Sequence, residues 1–358
     1  MAYTTIDKPS DYFNTVLYTG NGSTNAITGV GHQPDLSWFK TRSDANGHTW
    51  IDSVRGITKR LASHNNQAEL TESDMLTSFD SDGFTLGADS NNYTNWSGKT
   101  WVAWNWKAGT SFTNDASSTG IGTIDSTGSV NTDAGFSIVS YTGNATDNAS
   151  VKHGLNTAPK MVIIKDLSDT STWGVWHQSL TNGGYKLTLN STAAQADDSA
   201  FIGGSNRAIP TSSVFFLGSG GGGNGTNANI AYCFSEVKGY SKFGSYTGNG
   251  NADGTFVYTG FKPAFVIRKV TSASSDWLMQ DNKRSESGGF NQIRNYLFPN
   301  STQAEVSNQN YFNIDFLSNG FKMRSTDGGA NGSGSSYIYM AFAENPFVTS
   351  SGVPACAR

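Results

Sequence analysis

Glu69 and Glu305 stand in matching places of a repeated sequence, each directly after a Gln-Ala pair, and a third copy carries Gln195 nearby. A pair of carboxylates facing one cleft can act as acid and base on a glycosidic bond. Acids that recur across tandem copies more often serve packing than catalysis, so no catalytic residue is assigned. Asp80-Ser81-Asp82-Gly83 begins like a calcium loop, but the remaining ligands of such a loop do not follow. The third copy reads Ser318-Asn319-Gly320 and lacks both carboxylates, which favours a hairpin turn. His32, His48, His64, His153 and His177 are scattered without metal-ligand spacing, so no metal is expected. The glycine tract Gly218–Gly225 has no Gly-Lys-Ser/Thr after it and no helix to follow, which argues against a phosphate loop. It reads as a flexible loop or as backbone packed against a neighbouring subunit. No cofactor is expected.

Aromatic residues offer the remaining chemistry. In Trp101-Val102-Ala103-Trp104-Asn105-Trp106, a period of two puts Val102, Trp104 and Trp106 on one face. That face is either a platform for sugar rings or core. Phe234 and Phe342 hold the aligned places in the other copies, so core is the expectation, for Trp104 above all. Tyr93 and Trp96 lie in the polar stretch 90–99, where no core pattern calls for them. They are the ligand-binding candidates, with packing over their own domain as the alternative.

These side chains must be positioned by strands. The chain has 358 residues with 41 Gly and 8 Pro, and only 15% are charged against 12% aromatic. High Gly, Thr, Asn and aromatic content with few charges favours strands joined by tight turns and argues against disorder. A net charge of −4 without a basic block speaks against nucleic acid as a partner. No apolar run is long enough for a membrane-spanning helix, and residues 1–20 lack the basic start and apolar core of a secretory signal. Membrane insertion is therefore not expected. Cys233 and Cys356 suggest neither a zinc site nor a disulfide framework.

The organising stretch is Tyr18-Thr19-Gly20-Asn21, which returns as Tyr141-Thr142-Gly143-Asn144 and as Tyr246-Thr247-Gly248-Asn249. Each copy is followed by a proline and a short apolar run ending in lysine, at Lys40, Lys165 and Lys269. The tyrosines are 123 and 105 residues apart, a period that fits a complete small sandwich and is too long for a solenoid repeat. The expectation is an all-β chain of three tandem β-sandwich modules of jelly-roll or lectin-like kind. Residues 1–12 form an N-terminal attachment lead and 13–109 the first module. A Ser/Thr/Gly-rich linker spans 110–135, with Ile121–Ile124 as a candidate edge strand. The second module covers 136–240, and the third, with a C-terminal tail, covers 241–358. A helix is predicted only at Gln67–Phe79.

The opening through YTGNGSTNAITGVGHQPDLSWFKTRS, then WIDSVRG, SFDSDGFTLG and the closing YIYMAFAENPF, resembles a family of virion structural proteins from tailed phages of marine bacteria. The first and third copies carry the resemblance closely. The second is diverged and lacks the SDGF hairpin and the Trp-rich closing strand. The resemblance implies a non-enzymatic protein displayed on the virion after assembly in the host cytoplasm, most of all a tail-fibre or host-recognition part. A capsid-surface decoration is the alternative, with a free lectin or a polysaccharide depolymerase behind it. The implied partners are other virion proteins and copies of itself, as a trimer, together with a host surface glycan or outer-membrane protein.

Overall fold

Short alternating apolar runs bounded by Gly, Asn and Asp fold into antiparallel strands. The computed structural model describes residues 3–284 and 291–355, and these are all-β. Among the described residues the helical pieces are single turns, Pro9–Asp11 and Ala116–Thr119. The helix expected at Gln67–Phe79 is absent. Leu70–Thr71 and Leu76–Asp80 are strands there, because Phe79 is captured by a hairpin with Phe84 across the Ser81-Asp82 turn.

Each repeat builds the same central sheet. In the first, the opening strand Phe13–Thr19 pairs with the closing strand Thr100–Trp106, then come the post-proline strand Leu36–Thr41 and Thr49–Asp52. The third repeat has Ser241–Thr247, Ser336–Pro346, Phe261–Val270 and Leu278–Asp281 in that order. The second has Phe136–Thr142, Ala228–Phe234, Met161–Asp166 and Gly174–His177, extended at both edges to eight strands. A smaller sheet covers the outer face of each: three strands in the first repeat, four in the third, and only Ala149–Lys152 with Val214–Leu217 in the second. The missing strand is the one whose hairpin the second repeat lacks in sequence.

Alternation gives each central sheet two buried faces. In the first repeat Val16, Phe39, Ile51 and Ala103 meet Leu76, Phe84 and Leu86 of the small sheet. The opposite faces of all three central sheets meet in one shared core. Pairing register makes Trp106, Phe234 and Phe342 equivalent, each opposite the second residue after its repeat's proline, Leu36, Met161 or Phe265. Their ring centroids lie 5.9, 6.2 and 6.3 Å apart, a nearly equilateral triangle, so the repeats surround an approximate threefold axis. Trp104 faces the same core, and Trp101 is buried on the other side against Tyr18. Phe234 and Phe342 are thus counterparts of Trp106, while Trp104 corresponds to Tyr232 and Met340.

Two expected segments are built into the fold. Residues 110–135 are not a linker: Thr110–Asn114 and Ser126–Asn131 add two strands to the second central sheet, and Ile124 bridges Val151 in parallel. Hydroxyl-rich strands of this kind suit a sheet edge whose outer face meets water. The described part of 1–12 is not a free lead either. Ile6 is buried in the shared core, and the Tyr3 hydroxyl donates to Gly260 O of the third repeat at 2.7 Å.

Candidate functional site

The threefold-repeated motif is a loop anchor. Its tyrosine hydroxyl donates to a backbone carbonyl just before a buried asparagine: Tyr18 to Thr94 O, Tyr141 to Gly223 O and Tyr246 to Ala330 O, each at 2.6 Å. The asparagines are Asn95, Asn224 and Asn331, fully buried. Each accepts from the motif's own asparagine nitrogen at 3.0 to 3.1 Å and donates to two loop carbonyls, for example Asn95 to Ser23 O and Gly87 O. The motif glycine is needed for space, since a Cβ on Gly20, Gly143 or Gly248 would meet a carbonyl oxygen at 2.2, 1.8 or 2.3 Å. The glycine tract of the second repeat is the loop that carries Asn224, and it is held against its own repeat: a Cβ on Gly218 would meet Ser199 O at 2.1 Å.

That anchor places the two ligand candidates. Tyr93 and Trp96 flank Asn95 and are half-buried. The Arg60 guanidinium lies 3.7 Å over the Tyr93 ring, and Lys99 Nζ is 4.8 Å from the Trp96 ring. Among the described residues no ring contact joins the two.

The acids lie at the seams between repeats. Arg55 donates through Nε to Asp52 Oδ2 at 2.6 Å, through one terminal nitrogen to Glu69 Oε2 at 3.1 Å, and through the other to Trp50 O. Arg284 repeats the pattern on Asp281 at 2.6 Å, Glu305 at 2.9 Å and Met279 O. Each triad is closed by the neighbouring repeat. The Tyr232 hydroxyl donates to Asp52 Oδ2 at 2.8 Å, and Trp104 Nε1 donates to Asp281 Oδ2 at 3.0 Å. Glu69 N donates to Leu167 O, and Glu305 N to Arg42 O, both at 2.9 Å. Arg42 also reaches the Glu305 carboxylate. Burial opposes ionisation of Glu305, but Arg284 and Arg42 outweigh it and hold the carboxyl below its ordinary range. Glu69 and Glu305 therefore sit in separate arginine clamps and do not face one cleft.

The second repeat replaces this triad. His177 stands where Asp52 and Asp281 stand, buried Leu180 takes the arginine's place three residues on, and Gln195 takes the glutamate's. His177 Nδ1 accepts from Ser179 N, so Nε2 carries the proton and donates to Tyr339 O at 3.2 Å. Gln195 N donates to Thr271 O at 3.0 Å, matching the two glutamate contacts. A further ring of polar ties follows the same rotation: His48 to Phe298 O, Trp173 to Ala62 O and Trp277 to Thr188 O. The sequence signal for the clamps was present as Asp-x-x-Arg, in Asp52–Arg55 and Asp281–Arg284, followed later by Gln-Ala-Glu.

The remaining candidates are structural in geometry. Asp82 accepts from Gly29 N and Gly31 N at 3.1 and 2.6 Å, and Asp80 accepts from Ser78 and Thr85, so both carboxylates fasten the hairpin. Among the described residues no group of three or more His, Cys, Asp or Glu side chains could hold a metal. Burial pushes the Lys40 ammonium down to about 7 and those of Lys165 and Lys269 to about 8, with each bonded to backbone carbonyls. Cys233 is buried, and Cys356 lies outside the described residues.

A chain of this build is an all-β protein whose repeats are clamped face to face. Residues 8–346 match the family described as Domain of unknown function (DUF7483), and the chain belongs to that family. No curated protein and no solved structure matches it.

Proposed function

We propose that this chain is a non-enzymatic structural component of a tailed-phage virion that serves host recognition, in the manner of a tail fibre. The observation that carries the non-enzymatic part is the fate of the repeated acids. Glu69 and Glu305 are each consumed by an arginine clamp between repeats, so neither is placed as half of a catalytic pair. The phage assignment rests on the resemblance of the opening and closing sequences. In this reading the chain sits among other virion proteins and copies of itself, is assembled in the host cytoplasm and meets a host glycan or outer-membrane protein. A capsid-surface decoration is the second reading. It is favoured by the near-threefold arrangement of Trp106, Phe234 and Phe342, which gives one chain the shape of a trimer suited to a threefold position on a shell.

Immunogold labelling of intact particles with an antibody against this chain tests both. Gold at tail fibres is expected. Gold over the head selects the decoration reading, and particles without gold overturn the virion assignment.

A further inference from the structure

The three seams are built on equivalent positions but filled differently. Arg42, Leu167 and Thr271 are equivalent, two residues beyond the buried lysines, and each gives its carbonyl to the facing repeat. Between the first and third repeats Arg42 and Glu305 fill the space with an ion pair. Between the second and first, Leu167 packs against the shared core beside Glu69. Between the third and second, Thr271 and Gln195 take these places, and there a hollow of about 450 Å³ opens. Ser245 lines it where the first repeat has Leu17.

The lining of this hollow is hydroxyl-rich and carries no charged side chain. Ser179, Ser245, Thr247 and Ser336 are among its lining residues, and among the described residues none of their hydroxyls makes a hydrogen bond. Gln195 Oε1 accepts from Thr181 N and from its hydroxyl, which fixes the amide and leaves its nitrogen as a free donor. Thr271 is itself spent on Ser336 O at 3.1 Å. Free hydroxyls offer a donor and acceptor pair each, which complements the hydroxyls of a sugar, while the lack of guanidinium or ammonium gives no hold on a carboxylate or sulfate. The volume falls within the range of small-ligand sites, about 300–1,000 Å³.

We infer that the seam between the third and second repeats is a binding site for an uncharged saccharide, one or two rings in size. The inference rests on the host-recognition reading for its biological setting but not for its chemistry. Divergence of the second repeat then has a product: where the first and third repeats pair Arg42 with Glu305, Thr271 and Gln195 leave the larger hollow.

The test uses the full chain with maltotriose, mannotriose and galactotriose as neutral probes and an oligogalacturonate as the charged control, followed by ligand-observed NMR and titration. Binding of at least one neutral probe over the control is expected. The paired substitution Thr271→Arg with Gln195→Glu rebuilds the ion pair of the first and third repeats and should weaken binding by about tenfold or more, through lost hydrogen bonds and lost space. Ser245→Leu, which copies Leu17, is the milder plug should the pair fail to fold, and it should weaken the same probe. No neutral binding, or binding unchanged in a folded plugged variant, overturns the inference. Adhesion of labelled protein to host cells separates the two readings. Cells bound equally by wild type and the plugged variant leave host recognition standing without this pocket. Sugar binding without any cell binding leaves the pocket standing without host recognition.

Discussion

At the seam of the first and third repeats, Asp281, Arg284, Glu305, Arg42 and Trp104 form one buried charged network, whereas the seam of the second and third has His177, Leu180, Gln195 and Thr271 in the corresponding places. Backbone ties are the same in both, so chain direction and register do not depend on the charges. What differs is how the interface tolerates emptiness. A buried carboxylate must keep its arginine, because an unpaired buried charge is costly. The neutral seam carries no such obligation, and its hollow of about 450 Å³ is larger than the one of about 290 Å³ between Asn14 and Lys283 at the first and third repeats.

Removing a clamp should give the largest effect. Arg55→Met or Arg284→Met leaves two carboxylates behind in buried surroundings and should cost about 3–5 kcal/mol in urea unfolding. A loss below about 1 kcal/mol in either would mean that water replaces the arginine and that the seams are not held by charge. Next come the loop anchors. Asn95→Ala, Asn224→Ala and Asn331→Ala each abandon several buried hydrogen bonds and should cost about 2–3 kcal/mol. The three losses should agree, because this anchor, unlike the seams, is the same in every repeat. Unequal values would show that the second repeat has drifted here too.

Acid should act on the buried histidines, of which His177 lies at the neutral seam. Burial pushes His32, His64, His153 and His177 down to about 4 from the ordinary 6.5. The unfolded chain thus binds protons that the folded one refuses, and stability present above about pH 6.5 is lost as the pH falls toward 4. Thermal melts across that window should show it, and His177→Asn should flatten part of the fall. The smallest effects belong to the first ligand candidates. Tyr93→Ala removes the ring under Arg60 and should cost about 1 kcal/mol. Trp96→Ala should change stability by a similar or smaller amount and leave saccharide binding at the distant seam unchanged in titration.

Much of the fold was readable because the chain repeats its instructions. The Tyr-Thr-Gly-Asn motif, the post-proline strand and the closing strand recur in order, and each became the same strand pairing. The outcome for Trp104 and Trp106 followed from alternation together with the large apolar residues Phe234 and Phe342 in the other copies. The segment 110–135 misled because serine, threonine and glycine mark a linker and a solvated edge strand equally well. The closure of the clamp by another repeat was hidden for another reason. Asp52 and Arg55 are three residues apart in sequence, but Tyr232, which completes the clamp, is 180 residues from Asp52 and belongs to another repeat. The open seam was invisible at that level, since it consists of what Thr271 and Gln195 fail to fill.

The triangle of Trp106, Phe234 and Phe342 also sets a timetable for synthesis. Its last corner lies 236 residues after its first. At about 5–20 residues per second, the aromatic face of the first repeat waits roughly ten to fifty seconds on the ribosome before its cover exists. The outer small sheet can seal its own side at once, so the nascent chain is half finished and adhesive for most of its birth. The yield of such chains is then governed by how well chaperones shield Trp38, Trp50 and Trp104 during that interval.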